Sequence, residues 1–255
     1  INLSRKDMYL NRRPAKGVLI SPGSFLINWS NSKKNNSNTK WGNWHEQLAI
    51  RNDKRQADII DQSNISTEFV NPMKLCLSIN KHIQEGDIIV ADGGDFVATA
   101  SYILQPCSFT GWLDPGVFGT LGVGAGFILG AKLTHPDSVV WAIYGDGAFG
   151  YSLMEFDTFV RHKIPVIAVI GNDAGWTQIA RDQVDILGSA VSTELASTEY
   201  HKAVEALGGA GYFIDNENQI DDILIQAKKS AQSGKPTVVN VRIGKTDFRK
   251  GSLSM

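Results

Sequence analysis

The chain has 255 residues, enough for one or two domains of roughly 100–200 residues, each with a sizeable core. Lys and Arg total 25 against 26 Asp and Glu, and a net charge of −1 leaves no basic footprint for nucleic acid or an anionic membrane. The only cysteines, Cys76 and Cys107, exclude a disulfide scaffold and a cysteine-based zinc site.

The first thirty residues lack the apolar core of a signal peptide. Residues 18–20 form a short apolar run, and Ser21-Pro22 predicts a helix start with Pro at the first helical position. Residues 30–43 are polar and nearly free of aliphatics, which predicts a surface loop or disordered insertion. Residues 46–61 carry a charged helical pattern. Asn71-Pro72 then opens a helix with apolar Leu75, Leu77, Ile79 and Ile83, ending near Gly86.

From there, apolar runs alternate with helical patterns. Residues 88–91, 139–144, 165–170 and 238–243 read as strands buried on both faces, and 212–214 as a fifth. Helical patterns cover 120–132, 151–162, 199–207 and 218–232. Residues 115–131 hold no charge over 17 positions, but six of these are glycine and a membrane span needs about 20 apolar residues. The alternation predicts an α/β fold with a doubly wound parallel sheet flanked by helices. Ligands of such sheets bind outside the carboxyl ends of the strands.

Those ends are distinctive. Asp92-Gly93-Gly94-Asp95-Phe96 follows the first run, and Gly145-Asp146-Gly147-Ala148-Phe149 the second. Gly171-Asn172-Asp173-Ala174-Gly175-Trp176 follows the third. Small residues let backbone N–H groups approach an anion, and a helix N-terminus adds a favourable dipole. A carboxylate beside a phosphate would repel it unless a divalent cation sat between them. Mg²⁺, which takes oxygen ligands and bridges carboxylates to phosphates, suits Asp146 and the Asn172-Asp173 turn. Rival motifs fail: a dinucleotide fingerprint from Gly122 and Gly124 meets Phe127 at its third glycine, and a P-loop ending at Lys245-Thr246 meets Val239 at its first.

Gly145-Asp146-Gly147 followed by Asn172-Asp173 resembles the motif of thiamine-diphosphate enzymes. Residues 114–127 and 150–162 resemble the family's flanking segments, and the likeness runs over roughly 72–247. Residues 92–97, 171–179 and 244–249 are similar to the acetolactate synthase-like subgroup, also described as 2-hydroxyacyl-CoA lyases. The resemblance implies a thiamine-diphosphate-binding domain over 67–255. Residues 1–66 would be the end of a middle domain plus its linker, with Ile1 a truncation point.

By the same resemblance, Asp146 is the first Mg²⁺ ligand. Ungapped alignment puts Asp173 where the family has an Asn ligand, so Asn172 and Asp173 both stand as candidates, and Gly175 supplies a backbone carbonyl. Gly145, Gly147, Ala148, Asn172 and Trp176 border the cofactor. Gly94, Asp95 and Phe96 match a diphosphate-contacting turn. The Gly119 carbonyl would accept from the pyrimidine amino group, and Leu121 would be the apolar wedge that keeps the cofactor bent. The family's activating Glu lies on a pyrimidine-binding domain that no segment here resembles. Residues 1–255 are therefore expected to hold half an active site, with no catalytic residue of their own, and to be inactive alone.

The implied reaction is cleavage of a 2-hydroxyacyl-CoA to an aldehyde and formyl-CoA. The alternatives are acetolactate synthase-type carboligation of 2-keto acids, or a non-catalytic cofactor-binding module. The family builds its sites between subunits, so a homo-oligomer, at least a dimer, is implied. The subgroup implies the endoplasmic reticulum membrane, through an anchor outside this chain.

Overall fold

A computed structural model describes residues 1–33 and 41–251. The chain forms two compact units, Ile1–Lys54 and Arg55–Met255. The border falls inside a helix, upstream of the expected boundary at residue 66. In the first unit a parallel bridge pairs Asn2 with Leu19, and α1 (Pro22–Lys33) follows. No described residue of this unit is buried.

The loop expected over 30–43 is helical where it is described, apart from a turn at Trp41. Helix α1 runs through residues 30–33, and α2 (Gly42–Ser63) includes residues 42 and 43. Residues 34–40, with the centre of that expectation, lie outside the described residues. Exposed Ser and Asn disfavour a helix only by about 0.5 kcal/mol each, too little to stop one already propagating.

The second unit is the α/β sheet. Its entry is fixed by Asn71, whose Oδ1 accepts from the Met73 and Lys74 N–H groups at 2.9 and 3.4 Å. Its Nδ2 donates back to the Gln62 and Ile65 carbonyls at 2.9 and 3.0 Å. One buried side chain thus closes the turn after α2 and caps α3 (Pro72–His82), with Pro72 at the first helical position.

Six strands follow: β1 (Ile88–Ala91), β2 (Trp112–Leu113), β3 (Val140–Gly145), β4 (Ile167–Asn172), β5 (Ala210–Ile214) and β6 (Thr237–Arg242). All pairs are parallel, in the order β2-β1-β3-β4-β6-β5. Successive side chains alternate faces, so both faces need apolar residues. One face carries Ile89, Trp141, Ile143, Val169 and Val239. It packs on α3, α4 (Asp95–Ile103) and α10 (Ile220–Gln232). The opposite face carries Val90, Ala142, Tyr144, Ile170 and Val238. It packs on α5 (Gly124–Thr134), α6 (Asp146–Ser152), α7 (Glu155–His162) and α9 (Tyr200–Ala206). Helix α8 (Thr177–Leu187) lies between β4 and α9 in sequence.

Two expected helices are corrected. The 120–132 helix starts only at Gly124, because Gly119 and Gly122 hold φ of +57° and +82°, outside the helical region. The charge-free stretch is thereby divided into a 3₁₀ turn at Gly116–Phe118, an irregular loop and α5. No described helix is long and apolar enough to cross a membrane. The 151–162 helix is two helices, α6 and α7, joined at Leu153-Met154 through i to i+3 bonds into Phe156 and Asp157.

The strand order reverses between β1 and β3: from β1 the chain goes out to β2, then returns to β3 on the other side. There the two backbones touch. The Gly145 N–H donates to the Gly93 carbonyl at 2.9 Å. A Cβ on Gly94 would sit 3.0 Å from the Gly145 Cα, and Gly94 has φ of +118°. Gly94→Ala in the full-length protein is expected to cost about 1–3 kcal/mol, read by denaturant melts; an unchanged midpoint would contradict this contact.

Candidate functional site

The crevice at this reversal is where a doubly wound sheet binds ligands. The carboxyl ends of β1, β3 and β4 bring the three glycine–carboxylate turns together. Asp146, the first residue of α6, is 2% exposed. Its Oδ1 accepts from the Gly147 N–H at 2.9 Å, and its Oδ2 from the Gly175 N–H at 3.1 Å. The second bond ties the β3 turn to the β4 turn. Burial pushes the Asp146 carboxyl up to about 7, Asp173 adds repulsion, and the two N–H bonds oppose the rise.

The β4 turn is held from below. Asn172 is buried; its Nδ2 donates to the Thr198 carbonyl at 3.1 Å and to Asn240 Oδ1 at 3.2 Å. Its Oδ1 accepts from the Ala174 N–H at 3.2 Å. Asn240 Nδ2 also donates to the Thr198 carbonyl, at 3.0 Å. Asp173 stands next to this network. Burial raises its carboxyl, a hydrogen bond with Thr177 pulls it back, and Asp95 repels it. Trp176 donates its backbone N–H to the Thr193 carbonyl at 2.8 Å. Its indole lies where a side chain on Gly147 would go, 2.5 Å from a Cβ built there.

The loop before α5 closes the crevice. Gly119 is exposed and left-handed. Leu121 is partly exposed and packs where Gly93 would carry a side chain. Asp146, Gly147, Gly175 and Trp176 are thus in mutual contact, as are Gly94 and Gly145, and Leu121 rests on the same β1 turn.

Three of the expected site residues are engaged elsewhere. Asp95 Oδ1 lies 2.7 Å from Arg181 Nη2 and 3.8 Å from Arg249 Nε, so its carboxylate is held in an ion-pair cluster. Phe96 is buried and fills the space a side chain on Gly171 would need, which makes it core. Ala148 is likewise buried, in the cluster under β3 and β4. Sequence reasoning passed over Asp92 and Asn240. Asp92 stands in the strand-end pattern, yet its partners are 30 and 32 residues away. Asn240 lies inside an apolar run and reaches its partners only after β6 joins β4.

A family model described as thiamine pyrophosphate enzyme, C-terminal TPP binding domain, matches residues 92–241. The chain belongs to the thiamine pyrophosphate enzyme family. Its whole length aligns with 2-hydroxyacyl-CoA lyase 2 of Bos taurus, 46% identical over 263 residues and covering 41% of that protein. The Homo sapiens protein of the same name is 45% identical over 263 residues, also with 41% covered. A probable acetolactate synthase of Mycobacterium bovis is 35% identical over 203 residues, covering 78% of this chain and 36% of that one. The chain therefore spans about two-fifths of the length of the curated relatives it matches. Among solved structures, the thiamine diphosphate-dependent 4-hydroxybenzoylformate decarboxylase of Rhodococcus jostii superimposes with a TM-score of 0.63. At 21% identity, over 72% of this chain and 34% of that one, it shows the shared fold.

A hard divalent cation would need oxygen ligands, for which the expected set is the Asp146 carboxylate, the Asn172 or Asp173 side chain and the Gly175 carbonyl. Among the described residues no group of three or more His, Cys, Asp or Glu side chains is placed to hold a metal. A cation here would depend on one or two carboxylates, neutral oxygens and groups from a ligand.

Because burial raises Asp146 above its ordinary value of 3.8, this group favours folding fully below about pH 4 and loses that contribution as pH rises through about 7. In cation-free protein, the melting temperature of wild type relative to Asp146→Asn is expected to fall across that window. A difference that stays flat, or rises with pH, would contradict the assigned burial.

Proposed function

We propose that this chain is the diphosphate- and cation-binding half of a thiamine diphosphate- and Mg²⁺-dependent C–C bond lyase, which cleaves a 2-hydroxyacyl-CoA to an aldehyde and formyl-CoA. The observation that carries the cofactor half is the buried Asp146, which bridges the β3 and β4 turns at the strand-order reversal. The substrate class is supported by the 46% identity, over the whole chain, to a protein named as a 2-hydroxyacyl-CoA lyase. Acetolactate synthase-type carboligation is the second reading, supported by the 35% identity to a probable acetolactate synthase.

When bound, thiamine diphosphate supplies the electron sink for breaking a C–C bond. The residues of this chain bind, orient and neutralise. Asp146 would take one cation position, and a cation there would offset both the burial and the Asp173 repulsion that raise its carboxyl. Asp173 would take the second and the Gly175 carbonyl the third. Asn172 keeps the turn in place, since its amide already makes three hydrogen bonds within the scaffold. The glycines at 94 and 145 let the β1 and β3 turns close on each other, which brings the starts of α4 and α6 to one crevice where their backbone N–H groups would receive a diphosphate. Gly119 and Leu121 face the pyrimidine side, and Trp176 walls the site over Gly147. Exposed Val117, Phe118, Tyr151 and Met154 support a covering domain from a second copy that brings the activating Glu.

Calorimetry on the full-length protein tests the cation assignment: Asp146→Ala is expected to abolish Mg²⁺-dependent cofactor binding, and unchanged affinity would count against it. Asn172→Ala should destabilise the fold, whereas Asp173→Ala should weaken Mg²⁺ binding with a smaller change in melting temperature; the reverse pattern would exchange their roles. The lyase reading predicts aldehyde release from 2-hydroxyacyl-CoA by the loaded full-length protein, and carboligation of 2-keto acids with no such release would replace it.

A further inference from the structure

Asp92 is the last residue before the Gly93-Gly94 turn, 3% exposed, and belongs to none of the groups assigned above. Its Oδ1 accepts from the Gly122 N–H at 3.0 Å and its Oδ2 from the Gly124 N–H at 2.7 Å. These two N–H groups bracket the start of α5, whose own N-cap residue, Val123, offers no side-chain bond. A carboxylate from a distant strand therefore caps this helix, at the end where the macrodipole favours negative charge.

The same turn also fixes the side chain just before those bonds. Leu121 packs in the space left by the missing side chain of Gly93, directly after Asp92. On the outer side, a Cβ on Gly122 would lie 3.0 Å from the Tyr151 Cβ. The backbone of 119–122 is left-handed at both ends, with φ of +57° at Gly119 and +82° at Gly122. An unanchored glycine loop would sample many conformations, so holding one needs specific bonds.

We propose that Asp92 is the positioning residue for the 119–122 loop, setting the Gly119 carbonyl and the Leu121 side chain in their cofactor-receiving geometry before any cofactor arrives. The inference rests on the reading of that loop as the pyrimidine-side cradle. Asp92 acts through the loop and touches no reacting atom. Burial raises its carboxyl while the Gly122 and Gly124 bonds lower it, so the charged form is the one those N–H groups hold. Tyr144 enforces the arrangement from the sheet: a Cβ on Gly124 would fall 2.6 Å from the Tyr144 hydroxyl and 2.8 Å from Asp92 Oδ2. This glycine is therefore needed for the carboxylate to reach the loop.

The test uses the full-length protein and its near-isosteric variant Asp92→Asn, which keeps one acceptor and turns an NH₂ toward the other N–H. Three readouts are taken: thiamine diphosphate affinity by calorimetry with Mg²⁺, the melting temperature, and the dichroism of the bound aminopyrimidine. The expected result is an affinity loss of about tenfold or more, from one lost bond to a charged acceptor, with an altered dichroism band. Asp92→Glu should not restore either. A variant with lowered melting temperature but wild-type affinity and dichroism would make Asp92 a helix cap only and overturn the proposal. Should Asp92→Asn not fold, amide exchange in cofactor-free wild type decides: Gly122 and Gly124 must already be protected, and rapid exchange there would overturn it. Failure of wild type to bind thiamine diphosphate would instead remove the reading of the loop and the inference with it.

Discussion

The backbone contact of Gly93 and Gly94 with Gly145, where β1 and β3 diverge, is the constraint the rest of the site depends on. Parallel neighbours with their connections on opposite sides leave a crevice at their carboxyl ends. Side chains would fill it. With glycine on both turns, the two backbones close to hydrogen-bonding distance, and the starts of α4 and α6 share one crevice. Gly147 continues the pattern by admitting the Trp176 indole, and Gly171 by admitting Phe96 from the core side.

Closing the backbones this tightly buries carboxylates, and each is compensated differently. Asp92 receives two N–H bonds from one loop, an arrangement complete within the chain. Asp146 also receives two, yet burial, with repulsion from Asp173 added, keeps its carboxyl raised to about 7. Asp95 is neutralised by Arg181, with Arg249 close by. The charge left uncompensated is therefore local to Asp146 and Asp173, and a bound cation would offset it. The same logic gives Asn172 a scaffold role: its amide joins β4 to β6 and to the Thr198 carbonyl, and so fixes the turn that carries Asp173.

Much of this was legible in the sequence because buried parallel strands are continuous apolar runs. The apolar runs match Ile88–Ala91 at its observed limits and the other long strands to within about two residues. Strand β2 was not, since two residues carry no periodicity and Trp112-Leu113 is a strand only through its register with Ile89 and Val90. Helix α4 was hidden by its apolar composition, which shows little amphipathic contrast, and α8 by being read as part of a motif. At the site, the approach of Asp146, Gly147, Gly175 and Trp176 to one another is legible because a short motif places them on two adjacent turns. The side chains of Asp95, Phe96 and Ala148 turn to an ion pair and to the core, because a motif fixes the backbone path and not the direction of each side chain. Asp92 and Asn240 were missed because their partners exist only once distant strands and loops have come together.

A cation–diphosphate site at the Asp146–Asp173 crevice is tested by anomalous diffraction from crystals of the full-length protein grown with thiamine diphosphate and Mn²⁺ in place of Mg²⁺. One anomalous peak is expected within bonding distance, about 2.2 Å, of an Asp146 carboxylate oxygen and of an Asp173 oxygen, with diphosphate oxygens completing the shell. A peak away from Asp146, or bound cofactor whose diphosphate lies outside the Gly94–Gly145 crevice, would contradict it.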